Sequence, residues 1–329
     1  MAFTADLYQK KTIDLITEAA IPEYVGNNKP SANAGEVTNK GVELELIYRG
    51  DFAGIKYDIR GNAAYNHNEV TSLQTPLQGA NLGTSGALSR SEEGEPIWFF
   101  HGYNAVGVFD SVGEIDAYVN EQGELLQPRA IPGDVIFEDV NNDGIINEDD
   151  KVNMGSPHPD FTYGLNARLE YRGFDFSFFF QGVSGNEVYY GAYRTDLTNN
   201  NKPYFLYENA WTPENHTDEL PRYTINDNNN NFSHNSLFVF DGSYVRLQNL
   251  ELGYSFQKPL LEKIHISKLR IYVSGRNLHV WTKYPGADPE VGNSINPGSG
   301  NYDYKTSIGI DRGLYPRPRI ISFGLNVTI

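Results

Sequence analysis

The chain has 329 residues, with 42 acidic against 26 basic side chains and a formal net charge of -16. That balance excludes a nucleic-acid ligand, because phosphate binding needs clustered Lys and Arg. The absence of Cys removes disulfides, thiolate metal sites and thiol nucleophiles together, and leaves the compartment open.

With 22 Tyr, 18 Phe and 32 Gly against two Met, the composition favours strands and turns over helices. No run of about 18 apolar residues exists, so no transmembrane helix is encoded. A mean hydropathy of -0.49 is still compatible with a bilayer-spanning barrel, whose strands carry apolar residues only at alternate positions. The opening residues, MAFTADLYQKKTIDLI, lack the basic start, apolar stretch and cleavage site of a signal peptide. For an exported protein, this suggests a truncated chain.

In chain order, the first strand signal is Val42, Leu44, Leu46 and Tyr48 alternating with Glu43, Glu45 and Arg49. After a turn at Gly50 to Gly54, it recurs in Ile55, Tyr57, Ile59, Ala63 and Tyr65 against Lys56, Asp58, Arg60, Asn62 and Asn66. Alternation of this kind puts oil on one face of a strand and water on the other. A long polar segment, Leu73 to Pro96, follows. One brief helix is expected over Ser111 to Asn120, with Ser111 and Glu114 spaced as a capping box.

The segment Asp139-Val-Asn141-Asn-Asp143-Gly144-Ile145-Ile-Asn147-Glu-Asp-Asp150 has the spacing of a calcium loop. Asp139, Asn141, Asp143 and Asn147 offer side-chain oxygens, Ile145 a backbone carbonyl, and Gly144 the sharp turn. Calcium takes about six to eight hard oxygens, which this spacing can wrap around one point. Asp150 stands where a bidentate Glu usually closes the site, and an acidic Asx-turn loop without metal is the alternative. No flanking helix pair is apparent, so any Ca2+ would be structural.

The clearest strand is Phe161 to Arg172, where Phe161, Tyr163, Leu165, Ala167, Leu169 and Tyr171 alternate with polar residues. Gly173 permits a tight turn, and Phe174, Phe176, Phe178 and Phe180 continue the apolar face. Two further long polar segments, Asn186 to Asn235 and Tyr284 to Pro318, separate strands at Leu250 to Phe256, Leu269 to Ser274 and Ile321 to Ile329. Loops beyond about 15 residues are uncommon in compact soluble domains, whereas short turns on one side and long loops on the other typify outer-membrane barrels.

Catalytic constellations are missing. The seven His are scattered, and there is no H-E-x-x-H, nucleophile elbow or phosphate-binding Gly loop; the chain does not read as an enzyme. Paired carboxylates of a glycoside hydrolase are a distant third reading. Among the loop aromatics, Trp98, Tyr189, Tyr190, Tyr204 and Trp211 are candidates for stacking on a sugar or peptide, against the alternatives of interfacial anchoring or loop packing.

Several strings carry a family likeness. Gly133-Asp134-Val-Ile-Phe-Glu-Asp139-Val-Asn-Asn-Asp143-Gly144 followed by Gly155-Ser-Pro157-His-Pro159-Asp160-Phe161-Thr-Tyr163-Gly164 resembles the SusC/RagA group of TonB-dependent outer-membrane transporters of Bacteroidota. So do Trp211-Thr-Pro213-Glu214-Asn215, Asp241-Gly-Ser-Tyr244-Val-Arg246 and Gly286-Ala-Asp288-Pro289-Glu290. The likeness runs along nearly the whole chain.

The resemblance implies an all-β fold, an antiparallel transmembrane β-barrel segment with long extracellular loops. Residues 1–329 would form the C-terminal part of the barrel, about ten of about 22 strands, with plug and signal peptide absent. It also implies outer-membrane uptake of glycans or peptides, a SusD-like lipoprotein partner, TonB acting through the missing N-terminal part, and lipid around the wall. A secreted, calcium-stabilised β-sandwich that binds carbohydrate is the alternative, because a sandwich also alternates.

Overall fold

Alternation over about ten residues commits a segment to a strand with two unlike faces. Eight such strands form one antiparallel sheet in the computed structural model, which describes residues 1–18, 31–33, 35–82, 86–193, 201–257, 261, 265–292 and 306–329. They are β1 (Ala2–Thr12), β2 (Gly35–Phe52), β3 (Ile55–Leu73), β4 (Phe161–Tyr171), β5 (Phe174–Ser184), β6 (Tyr244–Ser255), β7 (Lys268–Thr282) and β8 (Ile320–Thr328). Each pairs with its neighbour in the chain, so the wall is an uncrossed meander, open between β1 and β8.

The register places like with like. Leu165 on β4 faces Phe180 on β5, and Leu169 faces Tyr57 on β3 and Phe176 on β5. Phe176 in turn meets Leu252, which meets Val273, which meets Phe323. This apolar face has no second layer over it among the described residues: Leu165 is 42% exposed, Leu252 47% and Phe323 84%. A sandwich would cover these side chains, so the β-sandwich alternative is not the observed fold. An exposed apolar sheet of this extent marks a contact surface for a membrane or for more protein.

Aromatic rings border the apolar band at both ends. Near the short turns, Tyr48 pairs with Tyr57 and Phe174 with Tyr254, at 5.2 and 4.7 Å between centroids. Near the long loops, Tyr65 meets Phe161 at 5.0 Å and Phe180 meets Trp281 at 6.1 Å. The 11 residues of β4 extend about 33 Å at ~3.3 Å per residue. Tilted as barrel strands are, that spans about 25 Å of height, the thickness of an outer-membrane apolar band.

Two connections at one end are two-residue turns, and both residues of each have positive φ: Ala53 and Gly54 at 51° and 79°, Arg172 and Gly173 at 48° and 90°. Such turns match the twist of the flanking strands. The first hairpin runs past the turn expected at Gly50, with β2 continuing to Phe52. At the other end, segments 13–34, 74–160, 185–243 and 283–319 join the strands.

Among the described residues the wall has eight strands against the expected ten or so, and the long segments carry short strands of their own. The sequence also gave little sign of β1, where apolar alternation lasts only through Phe3, Ala5 and Leu7.

The expected helix is short, Val112–Ala117, and capped by Ser111, whose Oγ accepts the Glu114 amide at 3.3 Å. The Glu114 carboxylate accepts from the Asp110 amide at 2.7 Å, one residue before the capping-box position. The helix ends where the Tyr118 hydroxyl turns to donate to the Phe137 carbonyl at 2.6 Å.

Candidate functional site

Opposite the apolar face, the wall is charged. Asp58 on β3 accepts from Arg49 Nε at 2.8 Å and from Arg60 Nε at 2.9 Å. Arg168 and Glu170 pair along β4 at 2.9 Å. Arg270 on β7 reaches Glu251 on β6 at 2.6 Å and, through Nε, Asp175 on β5 at 3.0 Å. A polar face on a single-layer wall fits the water-filled side of a transport barrel.

The long segments form a cap above this wall. Its core draws Ala80, Leu82, Leu88 and Phe100 from 74–160, Val188, Tyr189, Tyr190, Leu206, Leu220 and Phe238 from 185–243, and Tyr284 and Ile310 from 283–319. Strand Glu187–Tyr190 pairs antiparallel with Val239–Asp241 and parallel with Ile310–Asp311, joining two of the three segments. The buried Tyr284 hydroxyl donates to Asp311 Oδ2 at 2.6 Å, and burial beside that carboxylate pushes the phenol far up.

The residues that carried the family likeness meet in this cap. Asp134 is fully buried and accepts from Arg222 Nε and Asn231 Nδ2, both at 2.7 Å, and from the Ile131 amide at 2.9 Å. Gly133 has φ 90°, and a Cβ there would lie 2.4 Å from the Trp211 ring. The indole N–H of Trp211 donates to Asp110 at 3.2 Å.

A second junction ties cap to wall. Arg246, 3% exposed on the charged face of β6, donates to Asp288 Oδ1 at 2.5 Å and lies 3.6 Å from Glu290 Oε2. Arg317 donates to Glu290 Oε1 at 2.6 Å. Burial alone would raise the Asp288 carboxyl, but the Glu290 amide and the Arg246 guanidinium hold it below the usual range. Sequence reasoning did not single out this pair. The signal was a lone Arg inside a strand and an Asp-Pro-Glu string in a distant loop.

Of the five aromatic candidates, Tyr204 keeps an open face: it is 72% exposed on the short helix Tyr204–Glu208, with Tyr207 6.3 Å away. Trp98 is half-buried at φ 58°. Tyr189, fully buried, is flanked by Phe100 and His234, each at 5.9 Å. Tyr190 is 3% exposed and 5.2 Å from Phe205, and burial pushes its hydroxyl up to about 12. Trp211 is 8% exposed over Gly133. For Tyr189, Tyr190 and Trp211 the loop-packing alternative holds, because their ring faces are taken by neighbours inside the cap.

The calcium-like loop is closed by its own backbone. Asp139 accepts from the amides of Asp143 and Gly144 at 3.2 and 2.8 Å, Asn141 from Asp143 at 2.9 Å, and Asp143 from Ile145 at 2.9 Å. The Ile145 carbonyl accepts from Asn147 Nδ2 at 3.3 Å. Asp150, fully buried, accepts from the amides of Val140 at 3.0 Å and Asn147 at 2.7 Å in a capping box. Its carboxylate is thus used in folding the loop. Among the described residues no group of three or more His, Asp or Glu is placed to hold a metal; Asn141, Asn147 and the Ile145 carbonyl are donors of other kinds.

Three cap histidines are held neutral by burial. His101 and His234 fall to about 4, and His158 is lowered as well. His101 Nε2 is 3.1 Å from Arg90 Nη1, the distance of a guanidinium donating to a neutral imidazole.

In architecture the molecule is a stretch of β-barrel wall with its loop cap. Over nearly its whole length it is similar to TonB-dependent receptors, SusC among them. It is 35% and 36% identical to two TonB-dependent receptors of Formosa agariphila, over 98% of this chain and 32% of each relative. With TonB-dependent receptor SusC of Bacteroides thetaiotaomicron it shares 29% over 98% of this chain and 29% of the relative.

The fold matches a structure of the RagAB peptide transporter with a TM-score of 0.70 at 22% identity, over 99% of this chain and 33% of that one. The open and closed states of the RagAB peptide importer match at 0.70 and 0.68. No family model matches the chain. The chain spans about a third of the length of these relatives, which are named as receptors and transporters.

Proposed function

We propose that this chain supplies wall and outer loops to an outer-membrane importer of glycans or peptides, driven through TonB and working with a SusD-like surface lipoprotein. The observation that carries the reading is the single-layer wall: an uncovered apolar face bordered by aromatic rows, a charged face behind it, and long loops at one end only. The homology to TonB-dependent receptors supports the same assignment. The loop end faces the cell exterior and the two-residue turns face the periplasm.

The test is in whole cells. A protease site placed in the exposed loop around Tyr204 is cut from outside, and one placed at Ala53–Gly54 is cut only after the outer membrane is opened. Cleavage of both from outside, or recovery of the protein in the soluble fraction, would falsify the assignment. Growth of a deletion strain on single glycans and on peptides then names the cargo class.

A further inference from the structure

We infer that the cap holds a binding site for one carboxylate-bearing group, in a recess between segments 74–160 and 185–243. The recess measures about 210 Å³, and its lining residues lie between Tyr103 and Ile146 on one wall and between Asn228 and Ser233 on the other. Both walls belong to this chain. Ligand pockets usually run from about 300 to 1,000 Å³, so this one suits a single ring or side chain.

The polar groups around the recess divide into two sets. One set is committed to folding it: Gln127, 7% exposed, donates to the Val135 carbonyl and to Asn229 Oδ1 and accepts from the Phe137 amide, each at 2.9 Å. Asn229 in turn donates to the Val135 carbonyl at 3.0 Å and to Asn231 at 2.9 Å. The N–H donors of both amides are used. The other set is free: the side chains of Arg129, Asn228, Asn230 and Ser233 and the Tyr103 hydroxyl have no hydrogen-bond or ion-pair partner among the described residues. Burial first, and then the charges of Glu148 and Asp150, push that hydroxyl up to about 12, so it stays a donor. Both acids are engaged, Glu148 by Lys151 at 2.7 Å and Asp150 by the Val140 and Asn147 amides.

Arg129 is the one charged residue in the lining, and it sets the class of ligand. Its planar fork matches the two oxygens of a carboxylate. A single positive charge balances a monoanion but leaves a phosphate dianion half compensated. Beside it the Tyr103, Ser233 and Asn side chains offer neutral partners for hydroxyl or amide groups, and the Tyr103 and Phe137 rings, 5.2 Å apart, give an apolar wall for a ring or chain. A sugar acid and an acidic peptide share this chemistry. Because Arg129 is exposed, it can be changed without disturbing packing. The inference stands on the recess alone and does not depend on the transport reading.

The experiment is calorimetry on the full-length protein purified in detergent. Glucuronate and N-acetylglutamate are the probes, with glucose and N-acetylglutamine as their neutral controls. The parent is compared with R129Q, with Y103F, and with K56Q at the short-turn end of the wall. At least one acid is expected to bind saturably and at least tenfold more tightly than its control. That preference should vanish in R129Q at an unchanged melting temperature, weaken in Y103F and persist in K56Q. Saturable binding of neither acid, equal binding of acid and control, or a preference that R129Q retains would overturn the site. Binding of glucuronate alone assigns the carboxylate to a sugar acid, of N-acetylglutamate alone to a peptide, and of both to either source; each of these supports the site.

Discussion

Arg270 on β7 crosses the intervening strand to Asp175 on β5, and it does so directly over Gly253 on β6. A Cβ at position 253 would lie 2.5 Å from the guanidinium and 2.6 Å from the carboxylate. The pair is a clasp across three strands, with Glu251 as a third member at 2.6 Å, and the absent side chain at 253 makes room for it. Gly253→Ala is expected to destabilise the wall by ~1–3 kcal/mol, read as a lower urea midpoint in detergent. An unchanged midpoint would show that the arginine reroutes freely.

Arg246 and its acids form the most buried ion cluster tying cap to wall, with the Arg246 side chain 4% and the Asp288 side chain 10% exposed. Removing one member of a buried pair strands the other, so Arg246→Ala should cost about 3–5 kcal/mol. The change is expected to open segment 283–292 to limited proteolysis before the wall unfolds. Replacing Asp288 and Glu290 by their amides in the same background should recover part of the loss; no recovery would mean that the arginine acts through packing alone.

Acid should loosen the cap before it loosens the wall. His101 and His234 have folded-state pKa values of about 4, lowered by burial from 6.5. The unfolded chain therefore binds more protons than the folded one between those limits. The stability they confer is complete above pH ~6.5 and is lost as the pH falls towards about 4.

At ~1.4 kcal/mol per unit, the fully buried His234 accounts for about 3–4 kcal/mol, and the half-exposed His101 for less. Glu187, whose carboxyl burial pushes up, works in the opposite sense, gaining a proton first in the folded state. Hydrogen exchange of cap amides against pH should show the loss in the parent and a smaller one in His234→Gln, where His101 remains. Protection that is flat from pH 7 to about 4.5 would contradict this.

Gly133 combines φ 90° with 2.4 Å of clearance to the Trp211 ring. Gly133→Ala meets strain and overlap together, and the expected loss is about 2–4 kcal/mol. Displacement of the indole should red-shift and raise the fluorescence contribution of Trp211. A wild-type emission spectrum in a folded variant would count against the contact.

The 139–150 loop is expected to keep its shape without cation. Added Ca2+ at about 1 mM, where extracellular calcium modules bind, should move the melting temperature by less than ~1 °C. Asp150→Asn, by contrast, should lower it clearly through the lost capping box. One-to-one Ca2+ binding that Asp143→Ala abolishes would restore the calcium reading of the sequence.

Much of the wall was legible because period-two alternation is a local signal. Phe161 to Tyr171 and Phe174 to Phe180 state both faces and the turn between them. β1 was not legible, because after Leu7 the chain runs Tyr8-Gln9-Lys10-Lys11 and the pairing with β2 alone makes it a strand. The cap was hidden for a different reason. Its core joins residues from three separate segments, and nothing local distinguishes Tyr189, fully buried, from Tyr204, 72% exposed. The calcium-like spacing does not decide by itself between metal site and Asx-turn loop, because Asx residues that could bind a cation also serve as acceptors for the next turn's amides.

The parallel pairing of Tyr189–Tyr190 with Ile310–Asp311 also bears on the order of assembly. Wall strands pair with chain neighbours and can zip up locally where the turns are short, β2 with β3 and β4 with β5. The cap cannot: its last strand belongs to the segment before β8, and bringing such distant pieces together is entropically slow. Those two hairpins can therefore form while the cap segments are still apart. The outer surface becomes a single unit only when the final stretch of chain arrives, so substitutions at Ile310 should show up as delayed maturation rather than as a missing wall.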